Sequence, residues 1–170
     1  MTLRDKLVLR AQEFAQGRGL SLGNQLGHGV HGIVFATESQ PEKGVPAVQS
    51  AVKVHEREAA YCQERDVYLR LKENAVTAIQ GCHVPQILSY DDQSWIIEMT
   101  VVSPPFVLDF AGAFLDRAPG FSEEVLADWR AEKQDQFGTR WPEVETILRA
   151  LQANGIYLVD VSPSNVSLGS

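Results

Sequence analysis

The sequence has little cysteine, no long apolar run and a shortage of basic residues. Cys62 and Cys82 are its only cysteines, which argues against a disulfide framework and a structural zinc site. No apolar stretch approaches the length that spans a bilayer, and the charged, amphipathic residues 2–17 do not resemble a signal peptide. Basic residues number 15 against 22 acidic ones, for a net charge of −7, which argues against nucleic acid or a membrane as a partner. We therefore expect a cytoplasmic protein.

What the sequence does contain is enough apolar material for a sizeable core, since 44% of its 170 residues are hydrophobic. Its most informative stretch has Gly27, Gly29 and Gly32 at G-x-G-x-x-G spacing. Glycine lets backbone amides approach an anion closely, so such a stretch can lie across phosphates. The β-branched residues Ile33 and Val34 follow, and they favour a strand over the helix that a Rossmann site requires. We predict two strands, 20–26 and 32–37, joined by a glycine loop.

A lysine lies among apolar residues in the next predicted strand, 47–54, which follows a proline- and glycine-containing turn. Lys53 stands between Val52 and Val54. A buried ammonium group is costly unless an anion compensates it, so Lys53 indicates a nearby anion. The alternative is an edge-strand lysine that reaches solvent, because buried lysines are rare.

A second informative stretch lies near the end of the chain, where Asp160 and Asn165 are five residues apart across Ser162-Pro163. It follows a predicted helix, which Asn154-Gly155 ends, and a short apolar run. Aspartate and asparagine around Ser-Pro also suit an ordinary turn, since both side chains favour local backbone hydrogen bonds.

In this order, the G-x-G-x-x-G-x-V hairpin, the lysine of Ala51-Val52-Lys53 and the D-x-x-x-x-N spacing resemble the protein-kinase-like superfamily. The resemblance implies an α+β fold, with a kinase-like N-lobe of five antiparallel strands and one helix and a reduced helical C-lobe. It implies ATP and Mg²⁺ as ligands: Lys53 would hold the phosphates, Asp160 would take the proton of the attacking hydroxyl, and Asn165 would ligate magnesium. The nucleotide would also contact Gly27, Gly29, Gly32, Val34 and Ala51.

The resemblance also predicts a helix with a glutamate that pairs with Lys53, and residues 57–73 have mostly helical apolar spacing. Glu64 is our choice, because it precedes Val67, Tyr68 and Leu71 by three, four and seven residues and so shares their face. The alternative is Glu58, which lies only five residues after Lys53.

Two further strands, 84–90 and 94–99, would complete the five-stranded sheet. In the kinase-like resemblance the backbone after Ile97 hydrogen-bonds the adenine edge. That role would fall on the backbones of Glu98 and Thr100, with Ile97 at the back of the pocket. The alternative is a strand end that binds nothing, because backbone donors occur everywhere.

The remaining segments are predicted to be mainly helical. Leu3, Leu7 and Ala11 recur at helical spacing, with Thr2 as a cap. From Ser103 the pattern again favours helix, and amphipathic helices are predicted at 121–137 and from Trp141. We expect an N-terminal helix in 1–19, an N-lobe in 20–102 and a C-lobe in 103–170 that ends in the catalytic loop.

The chain also departs from the kinase pattern. Leu158-Val159 replaces the usual His-Arg before Asp160, and Ser162 stands where protein kinases often have lysine. We expect the chain to be truncated after the catalytic loop, because no D-F-G follows Asn165, and the D-F-G aspartate is the other magnesium ligand. Asp116, Glu123 or a second subunit could replace it.

Two functions follow from these expectations. The first is a kinase-like ATP-binding protein with weak phosphotransferase activity, and the second is a catalytically inactive pseudokinase-type module that binds a protein. We also expect an exposed apolar stripe on the last helix, which suggests a homodimer or a protein partner, unless residues 106–115 and the first helix cover it. Its residues are Val144, Ile147, Leu148 and Leu151.

Overall fold

A five-stranded antiparallel sheet forms the centre of the first of two units in the computed structural model, which describes residues 1–170. This unit comprises Met1–Arg65 and Gln86–Val101, and the second comprises Asp66–Pro85 and Val102–Ser170. The α+β class and the five-stranded antiparallel sheet are as the sequence predicted.

The first unit contains one helix ahead of the sheet and the start of a second helix. The elements are α1 (Leu3–Gly17), β1 (Leu20–Gly29), β2 (Gly32–Ser39), β3 (Gln49–His55), α2 (Glu58–Glu73), β6 (Ile87–Asp91) and β7 (Ile96–Met99). The strands lie in the order β1-β2-β3-β7-β6, and each neighbouring pair is antiparallel.

One face of the sheet packs against α1 and forms a hydrophobic core. The helix begins with the predicted cap, because the Thr2 hydroxyl accepts from the Asp5 amide and the Asp5 carboxylate accepts from the Thr2 amide. The core combines α1 with alternate residues of three strands, since successive side chains of a strand point to opposite faces. It contains Leu7, Ala11, Ile33, Phe35, Val52, Val54 and Ile96.

The glycine stretch forms the predicted hairpin, but its loop is shorter than the sequence predicted. Gly27 pairs with Val34 and Gly29 with Gly32, so that only Val30 and His31 lie between β1 and β2. The backbone N–H and C=O groups of β2 require hydrogen-bond partners, and the backbone of the glycine stretch supplies them. The pairing therefore continues through the glycines, although glycine is a weak strand former.

The second unit consists of short strands and two helices. Its strands are β4 (Ala78–Ile79), β5 (Cys82–His83), β8 (Phe106–Val107), β9 (Phe114–Leu115), β10 (Ile156–Tyr157) and β11 (Val166–Ser167), and its helices are α3 (Glu123–Phe137) and α4 (Trp141–Ala153). Strand β8 lies between β11 and β5, and β9 pairs with β10. Both helices lie where the sequence predicted, with Ser122 as the cap of α3 and Pro142 in the first turn of α4.

Two expectations for the second unit are wrong. Residues 103–122 form no helix, because their apolar residues pair as β8 and β9 and because Asp109 and Asp116 have positive φ, which a helix excludes. The apolar stripe of α4 is buried within the unit, since α4 packs against α3 and β10. The homodimer therefore stays a prediction, but the exposed apolar face that suggested it is absent.

No helix of the chain combines the length and the apolar character that a membrane crossing needs.

Candidate functional site

The structure brings together Lys53 and Glu64, the lysine and glutamate that the sequence paired. The Lys53 ammonium donates to Glu64 Oε2 at 2.7 Å, and the two side chains are only 7% and 1% exposed. Lys53 points away from the α1 core because it alternates along β3 with Val52 and Val54. Glu58, the alternative partner, is exposed in the first turn of α2.

His55, which was not among the residues predicted for the site, joins this pair. Its Nε2 lies 2.6 Å from the same Glu64 oxygen, its Nδ1 lies 3.1 Å from the carbonyl oxygen of Trp95, and its ring is fully buried. The strand period could have identified it, because residues two apart on a strand share a face and Lys53 was already predicted to point inward.

Glu64 is the shared acceptor of this cluster, because its Oε2 atom lies within hydrogen-bond distance of both Lys53 and His55. Burial acts to raise the pKa of Glu64, but the positive charge of Lys53 and the hydrogen bond from His55 outweigh it and hold this pKa well below its usual range. Glu64 is therefore a carboxylate held between the Lys53 ammonium group and the His55 ring.

The three glycines play different structural roles. A Cβ on Gly32 would lie 2.0 Å from the carbonyl oxygen of Val54, and its φ of +152° disfavours any other residue, so the fold itself requires glycine there. A Cβ on Gly27 or Gly29 would meet no atom within 4 Å. The space beside these two glycines is open, which leaves room for a ligand. Val34 lies opposite Lys53 in the sheet, and Ala51 is buried in β3.

The backbones expected to bind adenine are largely engaged within the sheet. The Thr100 amide donates to the Gln86 carbonyl at 2.9 Å. Glu98 lies in β7, which has strands on both sides, and its carboxylate accepts from Ser50 at 3.1 Å and from Arg18 at 3.1 Å. The Glu98 side chain thus helps to fix the sheet to the end of α1, a structural task that the sequence did not indicate.

In the second unit, the side chain of Asn165 organises the Asp160 loop. Its Nδ2 donates to the Asp160 carbonyl at 2.7 Å, and its Oδ1 accepts from the Ser162 amide at 2.8 Å. Asn165 is buried, whereas Asp160 is exposed. The loop therefore presents a carboxylate on a backbone that is held by local hydrogen bonds.

A second acidic residue, from earlier in the chain, follows a strand whose backbone pairs with the end of this loop. Strand β8 pairs antiparallel with β11, and the Leu108 amide donates to the Asn165 carbonyl at 2.9 Å. The next residue, Asp109, is partly exposed and has a φ of +66°, a conformation that costs free energy in a residue other than glycine and is common at functional sites. Asp116 and Glu123 were the residues predicted from the sequence for this role, and no spacing rule could have found Asp109.

The acidic residues suggested as replacements have other environments. Asp116 binds both terminal nitrogens of Arg70, at 2.8 and 2.7 Å, and these hydrogen bonds lower the pKa of Asp116. Glu123 lies exposed in the first turn of α3, where a negative charge suits the helix dipole.

The donor atoms of the loop suit magnesium better than a transition metal. No three side chains of histidine, cysteine, aspartate or glutamate are grouped to hold a metal ion, so the chain offers no closed, protein-only metal site. Magnesium at nucleotide sites takes only one or two carboxylates and completes its coordination with phosphate and water oxygens. Asp109 and Asn165 lie on paired segments of this unit and carry a carboxylate and an amide oxygen, which are the ligand types of that pattern.

Comparison with known proteins gives no family for the chain: no protein-family model matches the sequence, and no curated protein matches it either. Its function must therefore be argued from its own residues.

Proposed function

We propose that this protein is kinase-like, that it binds ATP with Mg²⁺ and that it transfers the γ-phosphoryl group to a hydroxyl. One observation carries the proposal: Lys53 is buried and bonded to Glu64, which is itself held by His55. Burying several charges costs free energy that apolar residues would avoid. Such a cost is typical of a functional site, where a fixed cation is needed to hold an anionic ligand.

In this proposal the first unit binds the nucleotide. Lys53 holds phosphate oxygens, and Glu64 and His55 fix the position of its ammonium group. Gly27 and Gly29 let the hairpin backbone come close to the phosphates. Val34, Ala51 and Ile97 contact the adenosine part, and the backbones of Glu98 and Thr100 remain the expected contacts of the adenine edge. Because the Thr100 amide already has a partner, its carbonyl is the group left for that role.

In the second unit, Asp160 accepts the proton of the attacking hydroxyl, and Asn165 holds the loop and offers its amide oxygen to magnesium. We add Asp109 as the carboxylate ligand that the sequence argument did not find. When bound, magnesium neutralises charge on the transferring phosphoryl group. Loss of the main carboxylate ligand of magnesium should slow phosphoryl transfer on the order of a thousandfold. Because Asp109 takes that role in the proposal, the missing D-F-G aspartate is no longer a reason to expect only weak activity.

Thermal unfolding with and without ATP and Mg²⁺ tests nucleotide binding, because a ligand of the folded state raises the unfolding temperature. We expect a clear rise for the natural protein, none for Lys53→Ala, and a smaller one for the double variant Gly27→Ala/Gly29→Ala. The double variant should fold normally, since the added Cβ atoms meet nothing in the protein.

Gly17→Ala is the matched control, because its Cβ also meets nothing and it lies at the end of α1. It should keep the full rise. Equal rises in the natural protein and Lys53→Ala would overturn the proposal.

A catalytically inactive, pseudokinase-type module that binds a protein is the alternative function. The engaged Thr100 amide favours it, because this amide cannot also donate to adenine without breaking its bond to Gln86. The two functions differ in turnover. Transfer or hydrolysis of radiolabelled γ-phosphate that disappears in Asp160→Asn would exclude the inactive module.

A further inference from the structure

The second unit contains an apolar pocket whose wall includes Asp160. Its volume is about 690 Å³, and it lies between α3, α4 and the residues that lead from β10 to Asp160. Small-molecule sites typically measure about 300–1,000 Å³ and combine apolar walls with a few polar groups. Here Trp129, Trp141, Leu148 and Leu158 supply apolar walls.

The chain leaves apolar side chains of this pocket in contact with water. Phe121 and Val125 line it and are 48% and 49% exposed. Exposed apolar groups that are gathered in a concavity are typical of ligand sites, whereas single ones scattered over a surface need no explanation. The Trp129 indole donates to the Val159 carbonyl at 3.0 Å, which fixes this wall to the backbone directly before Asp160.

The charged groups of the pocket indicate what its ligand carries. Arg130 and Arg149 line it, and neither guanidinium makes a hydrogen bond or an ion pair in the structure. Several other arginines, among them Arg10, Arg18, Arg65, Arg70 and Arg140, have such partners. Besides these two guanidinium groups, the lining residues include two carboxylates, those of Glu145 and Asp160. The pocket therefore suits an acidic group, which arginine binds in a bidentate way.

We propose that this pocket binds the phosphoryl acceptor, a planar apolar molecule with an acidic group and a hydroxyl. The proposal rests on the proposed function, since it assigns a substrate class to the same reaction. The acid binds Arg130 and Arg149, the apolar body lies against Trp129, and the hydroxyl reaches Asp160. The hydroxyl gives its proton to the Asp160 carboxylate, and its oxygen bonds to the γ-phosphorus. The bond from that phosphorus to the β–γ bridging oxygen breaks, so that ADP leaves.

The probe for binding is 6-hydroxy-2-naphthoate, which is fluorescent and carries an acid and a hydroxyl on a planar body. Its matched partners are 2-naphthol, which lacks the acid, and 2-naphthoate, which lacks the hydroxyl. We expect 2-naphthol to bind about tenfold more weakly because it leaves the guanidinium groups without an anion. In Arg130→Gln/Arg149→Gln this difference should vanish. Arg57→Gln/Arg117→Gln, a charge-matched control with arginines outside the pocket, should keep it.

Two further variants test the pocket itself. Val125→Trp should fold, because Val125 is half exposed, and should block all three probes. Asp160→Ala should remove the preference for 6-hydroxy-2-naphthoate over 2-naphthoate. Equal binding of 2-naphthol and 6-hydroxy-2-naphthoate, or unchanged binding in the arginine double variant, would overturn the inference.

Phosphorus NMR with ATP and Mg²⁺ then tests the acceptor role, and we expect a phosphomonoester on 6-hydroxy-2-naphthoate and none on 2-naphthoate. If ATP raises the unfolding temperature but no ester forms, the acceptor role is overturned and the proposed function stands. If the arginine-dependent preference for acids is found and ATP has no effect, the proposed function fails, and the pocket remains only as a site for acidic aromatic molecules.

Discussion

The two regions that hold the candidate catalytic groups are built in opposite ways. In the first unit Lys53, His55 and Glu64 are buried and bond to one another side chain to side chain. In the second unit the Asp160 carboxylate is exposed, and the loop is held by the Asn165 amide through backbone groups. Charges in a dry site are part of the stability of the fold, whereas an exposed carboxylate can change without unfolding it.

The largest effect is expected for Glu64→Ala, which leaves the buried Lys53 ammonium group and the His55 ring without the carboxylate that both contact. Removing one partner of a buried ion pair typically costs about 3–5 kcal/mol. Urea unfolding should show this loss. Gln63→Ala, at the exposed neighbouring position of the same helix, should change the free energy of unfolding by no more than about 0.5 kcal/mol. Similar values for both variants would contradict the buried cluster.

Acid should weaken the first unit through the same carboxylate. The Glu64 pKa is about 2 in the folded protein against an ordinary value of 4.5, so the unfolded chain takes up the proton first as the pH falls. The contribution of Glu64 is therefore complete above pH 4.5 and is lost as the pH falls toward about 2. Urea unfolding across this window should show a steeper loss for the natural protein than for Glu64→Gln. Parallel curves would mean that Glu64 is not held as a carboxylate.

An intermediate effect is expected for Asn165→Ala. Its amide bonds to backbone groups of Asp160 and Ser162, and loss of a buried hydrogen-bond partner costs about 1–3 kcal/mol. Asn165→Asp keeps the oxygen that accepts from Ser162 but not the donor to Asp160, so its unfolding free energy should lie between those of Asn165→Ala and the natural protein. An unfolding free energy for Asn165→Ala equal to that of the natural protein would mean that the loop does not depend on this amide.

The smallest effect on stability is expected for Asp160→Asn, and this variant distinguishes most clearly between the buried cluster of the first unit and the exposed carboxylate of the second. An exposed side chain with no partner should change the free energy of unfolding by less than about 0.5 kcal/mol. Phosphoryl transfer, if the proposed function holds, should fall by about a hundredfold or more, because the general base is gone. A large loss of stability would show that the two regions are not built differently after all.

Much of this arrangement could be predicted from local pattern. The caps at Thr2 and Ser122, the proline in α4 and the β-branched residues of β2 each act within a few residues. The elements that they predicted are present, with ends shifted by a few positions. Helical spacing also predicted correctly that Glu64 lies on the inward face of α2. His55 was within reach of the same reasoning, because it shares a face of β3 with Lys53.

The failures all involve partners that are distant in the chain. Residues 106–107 form a strand only because β11 and β5, from elsewhere in the sequence, pair with them. The α4 stripe is buried because α3 and β10 cover it. Asp109 lies beside the Asn165 loop for the same reason, although it precedes that loop by more than fifty residues.

The sequence by itself thus determined the helices, the antiparallel sheet and an inward lysine and glutamate, because periodicity and capping are local properties of the chain. The tertiary structure alone decided that Glu64 is shared by Lys53 and His55, and that Gly32 is required by the fold while Gly27 and Gly29 border open space. It also decided that the backbone just before Asp109 pairs with the end of the Asp160 loop. These features depend on strand pairing between distant segments, which residue spacing does not encode.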